Sequence, residues 1–348
     1  MKKDVRKMKY IRDVETKSVS LRLRKSYTGA DLSSHTILTD DVFSYVDFYF
    51  KTHKRVIKDS IGKKVDQNHL FYWNQAKNFY NAAKVLNIES APLPMYYCML
   101  NAMKAYLIYN AKTFDNVKKD FGGHGLKEGT NDSEEKVYSL SDIYVQHLEW
   151  GVFVKFANRL TSSSLNSLWD SGKKGAISVK DLLYYIPFVH GAYVSTYQLP
   201  RNRERFIPLS SGYSPTFRYS QKGKIRLVAE LDKGYFKQDA VTVPDYIKNT
   251  IPNSFEVNPD NGFEIMSKDE FLKKEIKRKY LEYRKYFSYI RGEKRMWYLN
   301  RLTDKCCVGN LNTMIFEVAI THRFSEIVRY KPEQMDKLLH SKENWLIQ

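Results

Sequence analysis

The sequence predicts an α+β protein, mainly a helical bundle with an inserted β-rich section of antiparallel hairpins. Three observations carry this expectation. Apolar residues recur at helical spacing on both sides of a proline break between residues 67 and 115. From about Arg201 to residue 266 the pattern changes to alternation, punctuated by Lys222-Gly223 and by Asp260-Asn261-Gly262. Helical spacing then returns and runs to the end of the sequence. A period near 3.6 marks a helix with one buried face, and a period of 2 marks a half-buried strand. Four segments follow: 1–66, a basic segment and one helix; 67–200, the helical core; 201–266, the β-rich section; 267–348, a charged helix and the C-terminal helices that complete the bundle.

The elements follow in chain order. "SVSLRLR" alternates and predicts a strand. "TDDVFSYVDFYFKTHKRVIKDS" predicts a helix capped by Thr39 or Asp40, with acids in its first turn and bases in its last, as the helix dipole favours. Tyr72, Ala76, Phe79, Tyr80, Ala83 and Leu86 form one apolar stripe, and Tyr96, Met99, Leu100, Met103, Leu107 and Phe114 form a second. "ESAPLP" separates them, and its prolines suit the first turn of a helix, so the two stripes predict an antiparallel helical hairpin. A glycine loop, "FGGHGLKEG", and an acidic loop, "GTNDSEEK", come next. "GVFVKFANRL" and "SVKDLLYYIPFVHGAYVSTY" predict two more helices, the second ended or kinked at Pro187. "FRYSQKGKIRLVAEL" and "SFEVNPDNGFEIMS" predict hairpins. Ser267 and Glu270 have the spacing of a capping box for the charged helix, whose seam is Leu272, Ile276, Tyr280, Tyr283 and Phe287. "RMWYLNRL" predicts a returning strand, Leu311 to Arg329 an apolar helix, and Pro332 the start of the last one.

The 348 residues are 43% apolar, enough to bury a core, and include 26 Tyr and 19 Phe. A formal charge of +18 favours anionic partners such as nucleic acid (RNA or DNA), nucleotides or a membrane surface. The alternative is a lysine-rich protein with no charged ligand. The three cysteines, Cys98, Cys306 and Cys307, make neither a zinc set nor a disulfide framework, and a reducing cytoplasm is expected. The basic N-terminus has no apolar signal region and no run reaches the roughly 20 apolar residues of a membrane span, so no membrane is expected. HExxH, CxxC, GxxxxGK[ST] and GxSxG are all absent, so neither a metal nor a cofactor is expected.

Several stretches together resemble the YaaC-like family of bacterial proteins: "FYWNQAKNFYNAAK", "APLPMYYCMLNAMKAYLIY", "GGHGL", "GVFVKFANRL" with "SVKDLLYYIP", and "EIVRYKPEQMDKLLHSKENWLIQ". The likeness covers most of residues 67 to 200 and 310 to 348 and is loose across the β section. It implies a bacterial cytoplasmic protein on a mostly helical scaffold, and it supplies no reaction.

Candidate chemistry comes from five places. His124, among four glycines, is a candidate general acid or base; the alternative is a turn whose histidine caps a neighbouring carbonyl. Asn101 and Lys104 share a face of an apolar helix, where the lysine is a candidate phosphate grip or a side chain snorkelling from the core rim. His322, Ser325 and Arg329 form one stripe of the C-terminal helix, and a histidine with an arginine is what metal-independent RNA cleavage uses. HEPN ribonucleases place Arg four to six residues before His; here the order is reversed. Arg201, Arg203 and Arg205 would face one way if extended, and with Arg218, Lys222, Lys224 and Arg226 would make a basic surface for phosphates. "KKEIKRKYLEYRKYF" interleaves bases with tyrosines, a pattern for backbone contact plus base stacking or for a solvated helix.

The leading expectation is a protein that binds nucleic acid or nucleotide through that basic surface. The alternatives are a metal-independent ribonuclease or nucleotide-processing enzyme using His124, or His322 with Arg329, and a protein-interaction component of a stress or phage-defence assembly.

Overall fold

The computed structural model describes residues 12–16, 19–23, 41–53, 57–58, 61–65, 69–111, 119–129, 139–161, 165, 169, 175–211, 214–220, 222–236, 240–290, 296–301 and 312–348. Thr39, Asp40, Phe114, the acidic loop from 130 to 136, Cys306 and Cys307 lie outside them.

In chain order the first elements are the strands β1 (Arg12–Asp13), β2 (Glu15–Thr16) and β3 (Val19–Ser20), then helix α1 (Val42–Thr52) and strands β4 (Ile57–Lys58) and β5 (Lys64–Val65). The helical pair is α2 (His69–Val85) and α3 (Pro92–Tyr109), followed by β6 (Leu126–Glu128), β7 (Tyr144–His147) and α4 (Val152–Leu160). Next are β8 (Ala176–Ser178), α5 (Val179–Leu183) and α6 (His190–Tyr197), with a short turn at Pro187 between the two helices. The strand-rich stretch holds β9 (Phe206–Pro208), β10 (Thr216–Tyr219), β11 (Ile225–Glu230), α7 (Asp245–Lys248), β12 (Phe255–Val257), β13 (Glu264–Ser267), α8 (Ile276–Arg284), β14 (Phe287–Ile290) and β15 (Met296–Asn300). Helices α9 (Thr313–Tyr330) and α10 (Pro332–Leu339) close the chain. The fold is α+β, and among the described residues all strand pairs are antiparallel.

The described residues fall into two compact units, one drawn from 1–36 and 197–304 and the other from 37–196 and 305–348. In the first, five strands order as β1-β10-β11-β13-β12 and three as β14-β15-β9. Ile225, Leu227, Ala229 and Leu231 line one face of β11, and Phe217, Ile265 and Phe271 meet them in the core. Helix α8 packs with this sheet: Ile276, Tyr280 and Tyr283 belong to the same core cluster. Leu272, expected in its seam, is exposed. Ser267 does not cap this helix. It sits at the end of β13, fully buried, where its hydroxyl accepts from Leu227 N–H (3.1 Å) and donates to the Asp269 carbonyl (3.1 Å). The turn before α8 is closed instead by Glu275, whose carboxylate accepts from Leu272 N–H at 3.0 Å.

In the second unit, α3 packs against α2, α4 and α9, and α9 also meets β6 and β7 of the β6-β7-β8 sheet. Proline at the first turn of α3 and of α10 starts both helices where a missing N–H costs nothing. Tyr96, Leu100, Met103 and Leu107 are buried along α3, which is the expected stripe. Helix α1 is capped by Asp41, which accepts from Phe43 N–H (2.9 Å) and Ser44 N–H (3.2 Å); its first turn holds no acid. Near the C-terminus Glu343, 2% exposed, accepts from Leu140 N–H (2.7 Å) and Ser139 Oγ (3.0 Å), tying the last turn to the β6–β7 connection. Among the described residues no helix is long and apolar enough to cross a membrane.

Candidate functional site

The glycine loop is shaped by the helix it meets. Phe153 N–H donates to the His124 carbonyl (3.0 Å) and Val152 N–H to the Gly123 carbonyl (3.0 Å), while Leu148 N–H donates to the Gly125 carbonyl (2.9 Å). The first N–H groups of a helix have no partner inside it, and here the loop carbonyls serve the start of α4. Such contact needs two backbones in near touch. Gly151 stands at the head of α4 with φ +123°, and a Cβ there would lie 2.5 Å from the Gly125 Cα and N. The glycines therefore fix the loop against α4, and that start of α4 is not open to an anion.

The same backbone holds the His124 ring against α3. His124 Nδ1 lies 2.7 Å from the Tyr96 hydroxyl, and the two rings stack with centroids 5.5 Å apart. His322 of α9 meets both: its ring is edge-on to Tyr96 at 4.9 Å and 6.1 Å from the His124 ring. Tyr96 and His322 are buried and His124 is exposed, so the cluster has two groups inside and one at the surface. Lys104, about two turns along α3 from Tyr96, lies close enough for its charge to act on His124. Its ammonium sits 5.5 Å over the rings of Tyr72 and Phe121, and it has no carboxylate partner among the described residues.

Electrostatics keep this cluster neutral apart from the lysine. Burial, and then the Lys104 charge, lower His124 below the usual imidazole range. Burial, then His124 and Arg323, push His322 down to about 3. Glu326 stands 3.6 Å from His322 Nδ1, which would pull the other way. That distance is beyond a hydrogen bond and the carboxylate is already held by Arg323, so burial prevails. Burial also lowers Lys104 and, with the Glu326 charge, raises Tyr96, which stays a phenol. A buried phenol must place its proton, and the acceptor beside it is His124 Nδ1. That tautomer leaves Nε2–H of His124 as a donor, on a ring that the Lys104 charge also acts on.

A second layer fixes the frame. Arg323, 3% exposed, donates to Glu128 of β6 (2.8 Å) and to Glu326 (2.5 Å), and Lys331 reaches Glu128 at 3.4 Å. These pairs tie α9 to the strand that leaves the glycine loop. They hold His322 where Tyr96 meets it.

The other residues singled out in the sequence are placed differently. Arg329 is exposed and its guanidinium covers the Tyr330 ring at 5.0 Å, so it does not join His322; Arg323 is the arginine at the cluster. Ser325 turns its hydroxyl to the His322 carbonyl at 2.6 Å. Asn101 donates to the Tyr97 carbonyl (2.7 Å) within its own helix. Arg201, Arg203 and Arg205 are not in an extended row. Residues 201–203 form a helical turn because buried Arg301 gathers the carbonyls of Arg201 (3.0 Å), Asn202 (2.9 Å) and Glu204 (2.8 Å). Arg205 is buried, and Arg201 lies over Tyr235. Arg218 is paired with Asp13 and Glu264, both at 3.2 Å, and buried Arg226 with Glu256 (2.9 Å) and Glu270 (3.3 Å). Lys222 and Lys224 are exposed. Tyr280 and Tyr283 of the charged helix face the core, leaving its exposed bases without a stacking partner from those two rings. No group of three or more His, Cys, Asp or Glu among the described residues is arranged to hold a metal.

The sequence model of the YaaC-like protein family matches residues 43–348. The chain belongs to the YaaC-like family. The match spans both the glycine loop and α9, so the histidine cluster of this YaaC-like protein lies wholly within the family's region. No curated protein and no solved structure matches the chain. Arg323 is not marked in the sequence, and Tyr96 reads there only as part of the apolar stripe of α3. A phenol inside an otherwise apolar stripe is the signal that points to Tyr96, because a buried hydroxyl needs a partner.

Proposed function

We propose that this YaaC-like protein binds a phosphate-bearing ligand, a nucleotide or nucleic acid, with Lys104 and His124 as its contacts. One observation carries the proposal: a partly buried ammonium without a carboxylate partner among the described residues stands beside an exposed imidazole. The two ring faces over which the ammonium sits offset only part of the cost of desolvating it, and an anionic ligand offsets more. A phosphate oxygen accepts from the ammonium and from Nε2–H together. The paired state of Arg218 and Arg226 moves the proposed contact away from the hairpin surface, while the net charge of +18 still draws anions to the chain. The helical unit serves as a bundle scaffold in the cytoplasm, continued across the inserted β section.

The test is binding of a labelled nucleotide and a labelled RNA over a salt series, for the native chain and for Lys104→Met. Phosphate contacts release counterions, so affinity falls with salt, and the variant binds more weakly with a shallower slope. A native chain with no affinity for either probe, or affinity without a salt slope, overturns the proposal.

A second reading is a metal-independent ribonuclease or nucleotide-processing enzyme, and the proximity of two neutral imidazoles favours it. A neutral imidazole can accept a hydroxyl proton, and Lys104 would stabilise charge on phosphorus. RNA cleavage unchanged by His124→Ala would remove this reading.

A further inference from the structure

The ring of Trp150 lies against Gly123, the residue before His124 of the proposed phosphate site, and is 54% exposed. It is not loosely placed. A Cβ on Gly123 would lie 2.5 Å from the Trp150 six-membered ring, so the chain has no side chain where the indole rests. Gly123 precedes His124, and the carbonyls of both accept from the first N–H groups of α4, which starts directly after Trp150 and Gly151. The indole and the imidazole are therefore borne by one hydrogen-bonded backbone frame, with consecutive Cα atoms about 3.8 Å apart. An indole with more than half its surface in water gains little for the core. Held in place, it offers a large flat apolar surface with little entropy left to lose on binding.

We infer that the ligand carries an unpaired base and that Trp150 is the surface on which the base stacks. The inference rests on the phosphate site at Lys104 and His124. Every base has a π-face, so an indole stacks bases without regard to sequence. The ligand class is thus a nucleotide or single-stranded nucleic acid. A duplex keeps its bases inside the helix, and inorganic polyphosphate has none.

The experiment compares the native chain, Trp150→Leu, Trp150→Phe and Lys104→Met against four probes: tripolyphosphate, ATP, a short single-stranded oligonucleotide and the corresponding duplex. Affinities are read by titration calorimetry, and Trp150→Phe keeps a stacking ring. The expected result is a loss of about tenfold or more in Trp150→Leu for ATP or the single strand, with tripolyphosphate and duplex unchanged and Trp150→Phe near native. A loss for ATP alone assigns a free nucleotide, and a loss for the single strand alone assigns nucleic acid. If Trp150→Leu binds every probe as the native chain does while Lys104→Met does not, the stacking inference fails and the phosphate site stands. Equal weakening for tripolyphosphate and the base-bearing probes also overturns it, since the indole would then act on the frame alone. If the native chain binds no probe, the phosphate site fails and the stacking role fails with it.

Discussion

Replacing His322 with phenylalanine should flatten the pH dependence of stability in the helical unit. His322 is 4% exposed, and burial with the neighbouring His124 and Arg323 takes it to about 3. In the unfolded chain the same imidazole titrates near 6.5, the ordinary value. Because the native value is depressed, the unfolded state binds the proton first as pH falls. The contribution of the neutral ring is therefore present above about pH 6.5 and is lost below it, at about 1.4 kcal/mol per pH unit, until the native ring itself protonates near 3. Between pH 7.5 and pH 5 this group alone should cost about 2 kcal/mol. The assay is urea unfolding followed by tryptophan fluorescence. Trp73, Trp150, Trp169 and Trp345 all belong to the helical unit and Trp297 to the other, so the signal reports mainly where His322 sits. His322→Phe keeps a ring edge-on to Tyr96 and shifts stability by a pH-independent amount, which the comparison of slopes removes. A pH effect that is the same in both proteins to within about 0.5 kcal/mol would refute the account of a buried neutral imidazole.

Two further outcomes follow from the same geometry. Gly151→Ala forces a side chain into a left-handed φ of +123° and against the Gly125 backbone, so it should destabilise the helical unit by about 2–6 kcal/mol, read by the same unfolding assay. Lys104→Met removes the charge that helps to depress His124, so the His124 titration followed by NMR should move upward toward the ordinary imidazole value; an unmoved titration would place the ammonium away from the ring.

The helical hairpin was legible because its stripes are long and its break is a proline, and the structure places α2 and α3 across that break. The two β hairpins were legible from their turns, and Gly223, with φ +70°, sits in the first of them. Ser267 misled because a capping spacing is local, while its real partner, Leu227 N–H, comes from another strand. The basic hairpin misled in the same way: the carboxylates that neutralise Arg218 and Arg226 lie on distant elements, at Asp13, Glu256, Glu264 and Glu270. His124 and His322 could each be marked in the sequence, but their approach could not, since it depends on how α9 packs on α3. Spacing on α9 pointed to Arg329, seven residues from His322. The arginine that shapes the cluster is its direct neighbour, Arg323, held by a strand outside the helix. Local periodicity reports a helix face, and only tertiary contact reports what that face meets.

The clamp between the glycine loop and α4 has a consequence for motion. The bonds that start the helix also position His124, so the two cannot loosen separately. Opening the first turn of α4 would release the Val152 and Phe153 amides to solvent and free the imidazole from Tyr96 in the same event. Hydrogen exchange at those two amides is therefore a clock for the histidine: its slow exchange measures how long the ring stays aimed, and a bound ligand that grips His124 should slow it further.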